Sequence, residues 1–318
     1  MSSLSVVIRS FNEEQHIGSL LAGISHQTRQ PTQVILVDSG STDGTVEIAS
    51  RFGAEILSID PEAFSFGRSL NIGCAAAIGD LIVIASAHVR PVYDTWLELL
   101  TAPLASPQMA LTYGRQQGDH RTRFSEAQIL SRWFPERSDL HQEHPFCNNA
   151  NAAIRRELWE AQPYDEALTG LEDLDWARRA IESGHRIGYV AEAPVFHVHQ
   201  ETWSQVANRY RREAIAHRRI FHDQRIGMLD AVRLFGANVA SDYYHALRDG
   251  VVLSNLLSIP LFRAAQFWGT YHGFARRGTV SSALRRRFYY PRGFTVTRHQ
   301  PPAEIGSPIP YDDHPPVP

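Results

Sequence analysis

The first hundred residues alternate short apolar runs with amphipathic stretches. Ser5–Ile8 reads as a buried strand, followed by the polar exit Arg9-Ser10-Phe11-Asn12. Asn12 is placed to cap a helix, Glu13 and Glu14 sit at its positive end, and Ile17, Leu20, Leu21 and Ile24 keep helical spacing. Val34–Val37 is a second, β-branched strand that stops at Asp38. Ser39, Gly40, Ser41, Asp43 and Gly44 then make a tight turn into a helix from Thr45 with Val46, Ile48, Ala49 and Phe52. Glu55–Ile59 predicts a third strand, Gly67–Ala77 a helix and Leu81–Ala85 a strongly apolar fourth strand. Strand–helix alternation of this kind predicts an α/β fold with a parallel sheet, whose ligands bind where the strands end.

Beyond residue 100 the pattern changes. Met109–Gly114 reads as a strand, and residues 115–145 as a long polar excursion carrying five arginines. An amide-rich run, Phe146-Cys147-Asn148-Asn149-Ala150-Asn151, precedes a short strand at Ala152–Ile154. Gly170 then leads into a helix opening with Glu172-Asp173-Leu174-Asp175-Trp176 and closed by Gly184. After a strand at Ile187–Val190 comes Val195-Phe196-His197-Val198-His199, where alternation places both imidazoles on one face at a spacing suited to joint metal binding. From Thr202 the chain reads as Arg-rich helices to about Phe288, including Arg285-Arg286-Arg287, and residues 301–318 hold 7 of the 18 prolines. The expected organisation is a catalytic domain over 1–220, a helical extension over 221–300 and an extended Pro-rich tail over 301–318.

Composition narrows the function classes. The 318 residues carry a net charge of −3, so nothing global points to nucleic acid. All 31 basic residues are Arg, and residues 1–200 hold 15 of them against 25 acids, whereas residues 201–300 hold 16 against 6. The basic segment fits an acidic membrane surface, a homodimer interface through the C-terminal helices, or simply solvated helix faces. Two cysteines, Cys74 and Cys147, imply no disulfide framework. With no signal-peptide pattern and no clean membrane-spanning window, a cytoplasmic protein is expected, peripheral at the inner membrane face at most.

Several polar residues stand where a sheet edge would place chemistry. Asp38 and Asp43 read either as turn closers or as ligand contacts; Asn149 and Asn151 read either as local turn bonds or as partners of a hydroxyl-rich ligand. Three carboxylates in the first turn of the helix at Glu172 suit its dipole and equally suit proton transfer. A dinucleotide dehydrogenase is disfavoured, because no GxGxxG follows the first strand.

Taken together, Val6–Glu14, Val37–Thr45, Phe66–Gly73 and Glu172–Trp176 resemble glycosyltransferase family 2, inverting enzymes of the GT-A fold, and His197 with the Arg-rich helix after it is similar to rhamnosyltransferase-like members. The resemblance spans roughly residues 4–220 and implies a mostly parallel sheet flanked by helices. It implies a nucleotide-diphosphate sugar donor, UDP- or dTDP-linked, held by Arg9, Phe11, Asn12, Glu13, Asp38, Ser39, Arg68, Asn71, Ser86, Ala87 and His88. Asp38 would accept from the pyrimidine N3–H. Asp173 would be the general base toward a carbohydrate or lipid-linked hydroxyl acceptor, with Asn149, Asn151, Glu172 and Trp176 shaping the acceptor or sugar pocket.

One departure from that family matters. Where its metal-binding Asp-x-Asp should fall, the chain has Ser86-Ala87-His88. Two carboxylates are replaced by a hydroxyl and an imidazole, so Mg²⁺ or Mn²⁺ affinity should drop unless His88 is joined by His197 or His199. Arg9, Arg68 or Arg90 could instead neutralise the departing diphosphate. The same loss motivates an alternative, a catalytically silent sugar-nucleotide or glycan-binding module. A nucleotidyltransferase lacks support, since no basic Gly-rich loop for a triphosphate is present.

Overall fold

The computed structural model describes residues 2–224, 226–275 and 306–311. In chain order the first half runs β1 (Leu4–Ser10), α1 (Ile17–Ser25), β2 (Gln33–Asp38), α2 (Thr45–Arg51), β3 (Glu55–Ser58), α3 (Phe66–Ala76), β4 (Leu81–Ser86), β5 (Val89–Pro91) and α4 (Trp96–Thr101). The second half runs β6 (Met109–Gln117), α5 (Phe124–Trp133), β7 (Asp139–Gln142), β8 (Asn151–Arg155), α6 (Arg156–Ala161), α7 (Glu172–Glu182) and β9 (Arg186–His197). Helices α8 (Trp203–Ile220), α9 (Met228–Arg248), α10 (Val252–Asn255) and α11 (Ser258–Phe274) follow.

One sheet carries the order β3-β2-β1-β4-β8-β6-β9-β5, with β7 also paired to β9. Strands β3, β2, β1 and β4 are parallel, as the alternating pattern requires, and β8 runs antiparallel between β4 and β6. Apolar side chains of both sheet faces are buried: Val6, Ile8 and Val83 pack toward α1 and α4, while Val7, Ile35 and Ile84 pack toward α3 and α7. Because β1, β2 and β4 run the same way, their exit loops meet on one rim.

Two sequence expectations are corrected. Residues 115–145 are no open excursion: they form the end of β6, then α5 and β7, and α5 buries Ser125, Glu126 and Leu130. Long-range pairing of β7 with β9 supplied the order that local polarity hid. Asn12 caps no helix, since α1 begins only at Ile17; Asn12 instead adopts a left-handed φ of 54° and its side chain accepts the Thr42 N–H at 2.8 Å.

The C-terminal helices are held by α11 packing along α8, where close approach demands glycine: a Cβ on Gly269 would lie 2.1 Å from the Ala207 carbonyl oxygen. Arg263 on α11 is buried against Asp242 on α9, Nε to Oδ2 2.7 Å, and its guanidinium also donates to Gln266. Of the Pro-rich tail, residues 306–311 run extended over the sheet's far edge, where Ile309 N donates to Val92 O and Tyr311 Oη to Pro91 O. The helical reading toward Phe288 and the Arg285–Arg287 cluster lie outside the described residues.

Candidate active site

The rim loops are stitched to one another before any ligand is considered. Asp38 ends β2, and its carboxylate accepts Gly40 N at 3.0 Å, Ser41 N at 2.9 Å and Ser10 Oγ at 3.1 Å, with Ser41 Oγ as a fourth donor. Four donors surround the carboxylate, which thereby closes its own turn at the rim where the resemblance puts the pyrimidine. Asp43 similarly accepts from Thr45 N and Glu14 N, in keeping with its reading as a turn closer.

Around this frame lies a cleft of about 360 Å³ lined by Arg9, Ser10, Phe11, Glu13, Ser39, Pro61, Phe64, Phe66, Ser86 and His88. Arg9 reaches across the rim to Glu172 and lies 4.9 Å from the Phe66 ring centroid, with Arg212 4.4 Å from the same ring. Phe11 is exposed at the cleft mouth. Other candidates from the sequence do not face this cleft. Ala87 is buried in the core, Arg68 points outward toward Glu166 at 3.9 Å, and Arg90 is paired with Asp119 at 3.0 Å. Asn71 is occupied structurally: its amide donates to Tyr164 O and accepts from Trp159 Nε1 and Tyr164 N.

A second, largely apolar cavity of about 180 Å³ lies behind the rim, lined among others by Leu130, Trp133, Phe134, Phe146, Asp173, His197, His199 and Phe274. Asp173, at the start of α7, accepts Asn149 N at 3.0 Å and its own helix's Leu174 N at 2.8 Å. Burial, reinforced by the neighbouring Glu172 charge, raises its carboxyl to about 7 against these hydrogen bonds and the pull of Arg9. A buried carboxyl titrating near neutrality at the wall of a cavity is suited to proton transfer.

The amide and tryptophan candidates divide. Asn149 is buried, and its side-chain Oδ1 and Nδ2 have no partner among the described residues. Asn151 is fully engaged, accepting Trp96 Nε1 and donating to Arg115 O and Ala193 O, so it braces β8 instead of lining a pocket. Trp176 is likewise a core residue, 1% exposed, with Nε1 donating to Gln162 O.

Between the two cavities three imidazoles converge. The His88 and His197 rings stack at 5.0 Å, and His199 lies 4.3 Å from His197 and 5.3 Å from His88. Each Nδ1 meets an oxygen: Glu13 at 2.8 Å for His88, Gln116 at 2.6 Å for His197, Glu126 at 2.9 Å for His199. Burial, with the other histidines and Arg209 nearby, lowers His197 and His199 well below the ordinary imidazole value, so both are neutral ligand-type bases. The sequence pointed to all three histidines but not to Gln116 and Glu126, which sit in the segment read as an excursion.

Comparison with known proteins places this geometry. The model of "Glycosyl transferase family 2" matches residues 5–161, so the chain carries a domain of that family over those residues. Among curated relatives, the O-antigen chain rhamnosyltransferase WbaN of Salmonella anatum is 29% identical over 222 residues, covering 66% of this chain and 70% of that protein. The O-antigen chain rhamnosyltransferase RfbN of Salmonella typhimurium is 26% identical over 219 residues, 65% of this chain and 70% of that one. Of solved structures, the mannosyltransferase PcManGT from Pyrobaculum calidifontis, in complex with GDP-Man and Mn²⁺, superposes with a TM-score of 0.56 at 18% identity over 86% of this chain and 84% of its own. Residues 1–349 of S. aureus TarS give 0.53 at 15% identity, over 86% and 90%. The fold is therefore the GT-A type that the resemblance implied.

Proposed function

We propose that this glycosyltransferase moves a sugar from a nucleotide diphosphate to a hydroxyl acceptor with inversion at the anomeric carbon, Asp173 serving as base. The observation that carries this reading is the placement of Asp173: buried, raised to about 7, and on the wall of the cavity next to the rim cleft. The acceptor oxygen attacks the anomeric carbon, the bond to the diphosphate oxygen breaks on the opposite face, and the acceptor proton passes to Asp173. The donor belongs in the rim cleft, its base against Phe11 and the Phe64–Phe66 pair, its charge facing Arg9, Ser39 and Ser86. Asp38 contributes by fixing the loop that carries Ser39. Uridine or thymidine diphosphate is the favoured carrier, and the names of the curated relatives favour rhamnose as the sugar. A divalent cation at His88, His197 and His199 would offset charge on the leaving diphosphate.

A lipid-linked acceptor is supported from two sides. The cavity beside Asp173 is walled by Leu130, Trp133, Phe134 and Phe146. Helices α9 to α11 also leave Leu229, Leu247, Leu253, Leu257 and Trp268 exposed, at 86, 71, 87, 73 and 60%. None of the described helices is long and apolar enough to cross a membrane, and these exposed apolar side chains would meet a bilayer from its surface. The competing reading is a silent binding module on the same scaffold. Thermal shift against uridine, thymidine and guanosine diphosphates and their sugars, followed by a transfer assay with the product anomer read by NMR, tests the proposal. Melting shifts without turnover in wild type would favour the silent module.

A further inference from the structure

The three-histidine cluster does not suit Mg²⁺, one of the two ions that the family resemblance implies. Mg²⁺ takes oxygen ligands in a near-octahedral shell and keeps much of its water. Here the ligand atoms of His88, His197 and His199 lie within 4.8 Å of one another, and every one is an imidazole nitrogen. With Nδ1 of each ring facing an oxygen, Nε2 is the nitrogen left to ligate; that of His197 is buried with no hydrogen-bond partner among the described residues. Carboxylates accept and cannot donate, so Glu13 and Glu126 hold His88 and His199 in the tautomer whose Nε2 lone pair is free. Ligating histidines are commonly anchored in this way through their other ring nitrogen. The neighbouring group Glu126, His199 and Glu201 does not compete for the ion, because Arg209 pairs with Glu126 at 3.0 Å and Glu201 at 2.7 Å.

We infer that this cluster is a tris-imidazole site selective for a nitrogen-preferring divalent transition ion of the Zn²⁺ or Co²⁺ kind over Mg²⁺. Imidazole sets favour such ions and follow the rising affinity series from Mn²⁺ upward. Three protein ligands would leave a tetrahedral ion one further position, and His88 is the ligand that also lines the rim cleft. The inference rests on the proposed donor reading for what occupies that position, but not for the ion itself.

The test uses the full chain, stripped with chelator and titrated with Zn²⁺, Co²⁺, Mn²⁺ and Mg²⁺ by calorimetry, with Co²⁺ also followed by its visible ligand-field absorption. One equivalent of Zn²⁺ or Co²⁺ should bind at least about 100-fold more tightly than Mg²⁺, with an intense tetrahedral-type cobalt spectrum. His197→Ala should abolish that spectrum. Glu126→Gln, which keeps the shape of the anchor but removes its charge, should weaken binding about 10- to 100-fold, the range for an anchoring partner. Mg²⁺ binding as tight as Zn²⁺, or a cobalt spectrum surviving both His88→Ala and His197→Ala, overturns the inference. Selective metal binding without sugar transfer leaves it standing and sinks the donor reading; transfer by a chain that binds none of these ions does the reverse.

Discussion

The guanidinium of Arg9, at the end of β1, lies 3.2 Å from the carboxylate of Glu172, the first residue of α7. The pair joins the rim of the proposed donor cleft to the helix that carries the proposed base, across 163 residues of sequence. Both partners act on Asp173, Glu172 raising its carboxyl and Arg9 lowering it. Substitutions on the two sides of this ion pair should therefore move the pH profile in opposite directions.

In wild type, transfer should rise with pH through an acid limb near 7 as Asp173 ionises. Glu172→Gln removes the like charge and should shift that limb downward; Arg9→Met should shift it upward. Initial rates of sugar transfer from pH 5 to 9, at saturating donor, check both signs. A limb that stays put in both variants removes Asp173 as its origin.

Asp173→Asn should abolish transfer while nucleotide affinity stays within about twofold of wild type by calorimetry. Stability provides an independent reading. A carboxyl raised from an ordinary 3.8 to about 7 costs the folded state nothing below about pH 4 and its full penalty above about pH 7. The variant should accordingly melt higher than wild type at pH 8 and show no such gain at pH 4.

Arg263 and Asp242 are 1% and 0% exposed and join α11 to α9. Removing one partner of a buried pair strands the other, at about 3–5 kcal/mol. Asp242→Ala should lower the unfolding free energy measured in urea by that amount, and pairing it with Arg263→Met should recover most of the loss. A single-variant cost under about 1 kcal/mol would contradict the buried pairing.

Helix α3 lies close on the sheet at Gly73, where a Cβ would meet Val7 Cγ1 at 2.4 Å and Val37 Cγ2 at 2.9 Å. Gly73→Ala overpacks this layer and should cost about 1–3 kcal/mol. Chemical denaturation gives the number. Adding Val7→Ala should restore part of it, which no helix-propensity effect would do.

The fold's first half was legible because its signals are local. Strands β1, β2 and β4 are continuous apolar runs, and turn residues mark each exit. The histidine cluster was legible in part, from the HxH spacing and the departure at Ser86-Ala87-His88. Its anchors were not, since Glu13, Gln116 and Glu126 lie 75, 81 and 73 residues from the rings they hold. Trp176 and Asn151 were misplaced for a related reason. Periodicity places a side chain on a face of its own element, while only the packing of α7 and β8 decides that those faces point into the core.

The cross-bonding between the first two rim loops has a practical consequence. Asn12 N donates to Ser41 Oγ and Asn12 Oδ1 accepts Thr42 N, while Glu13 N reaches Thr45 Oγ1 and the Glu14 carboxylate accepts Gly44 N. Each segment thus donates to and accepts from the other. Grafting from a homologue at the proposed nucleotide site would need residues 10–14 and 38–45 as one cassette, because a half-graft would bring in one loop without its hydrogen-bonding complement.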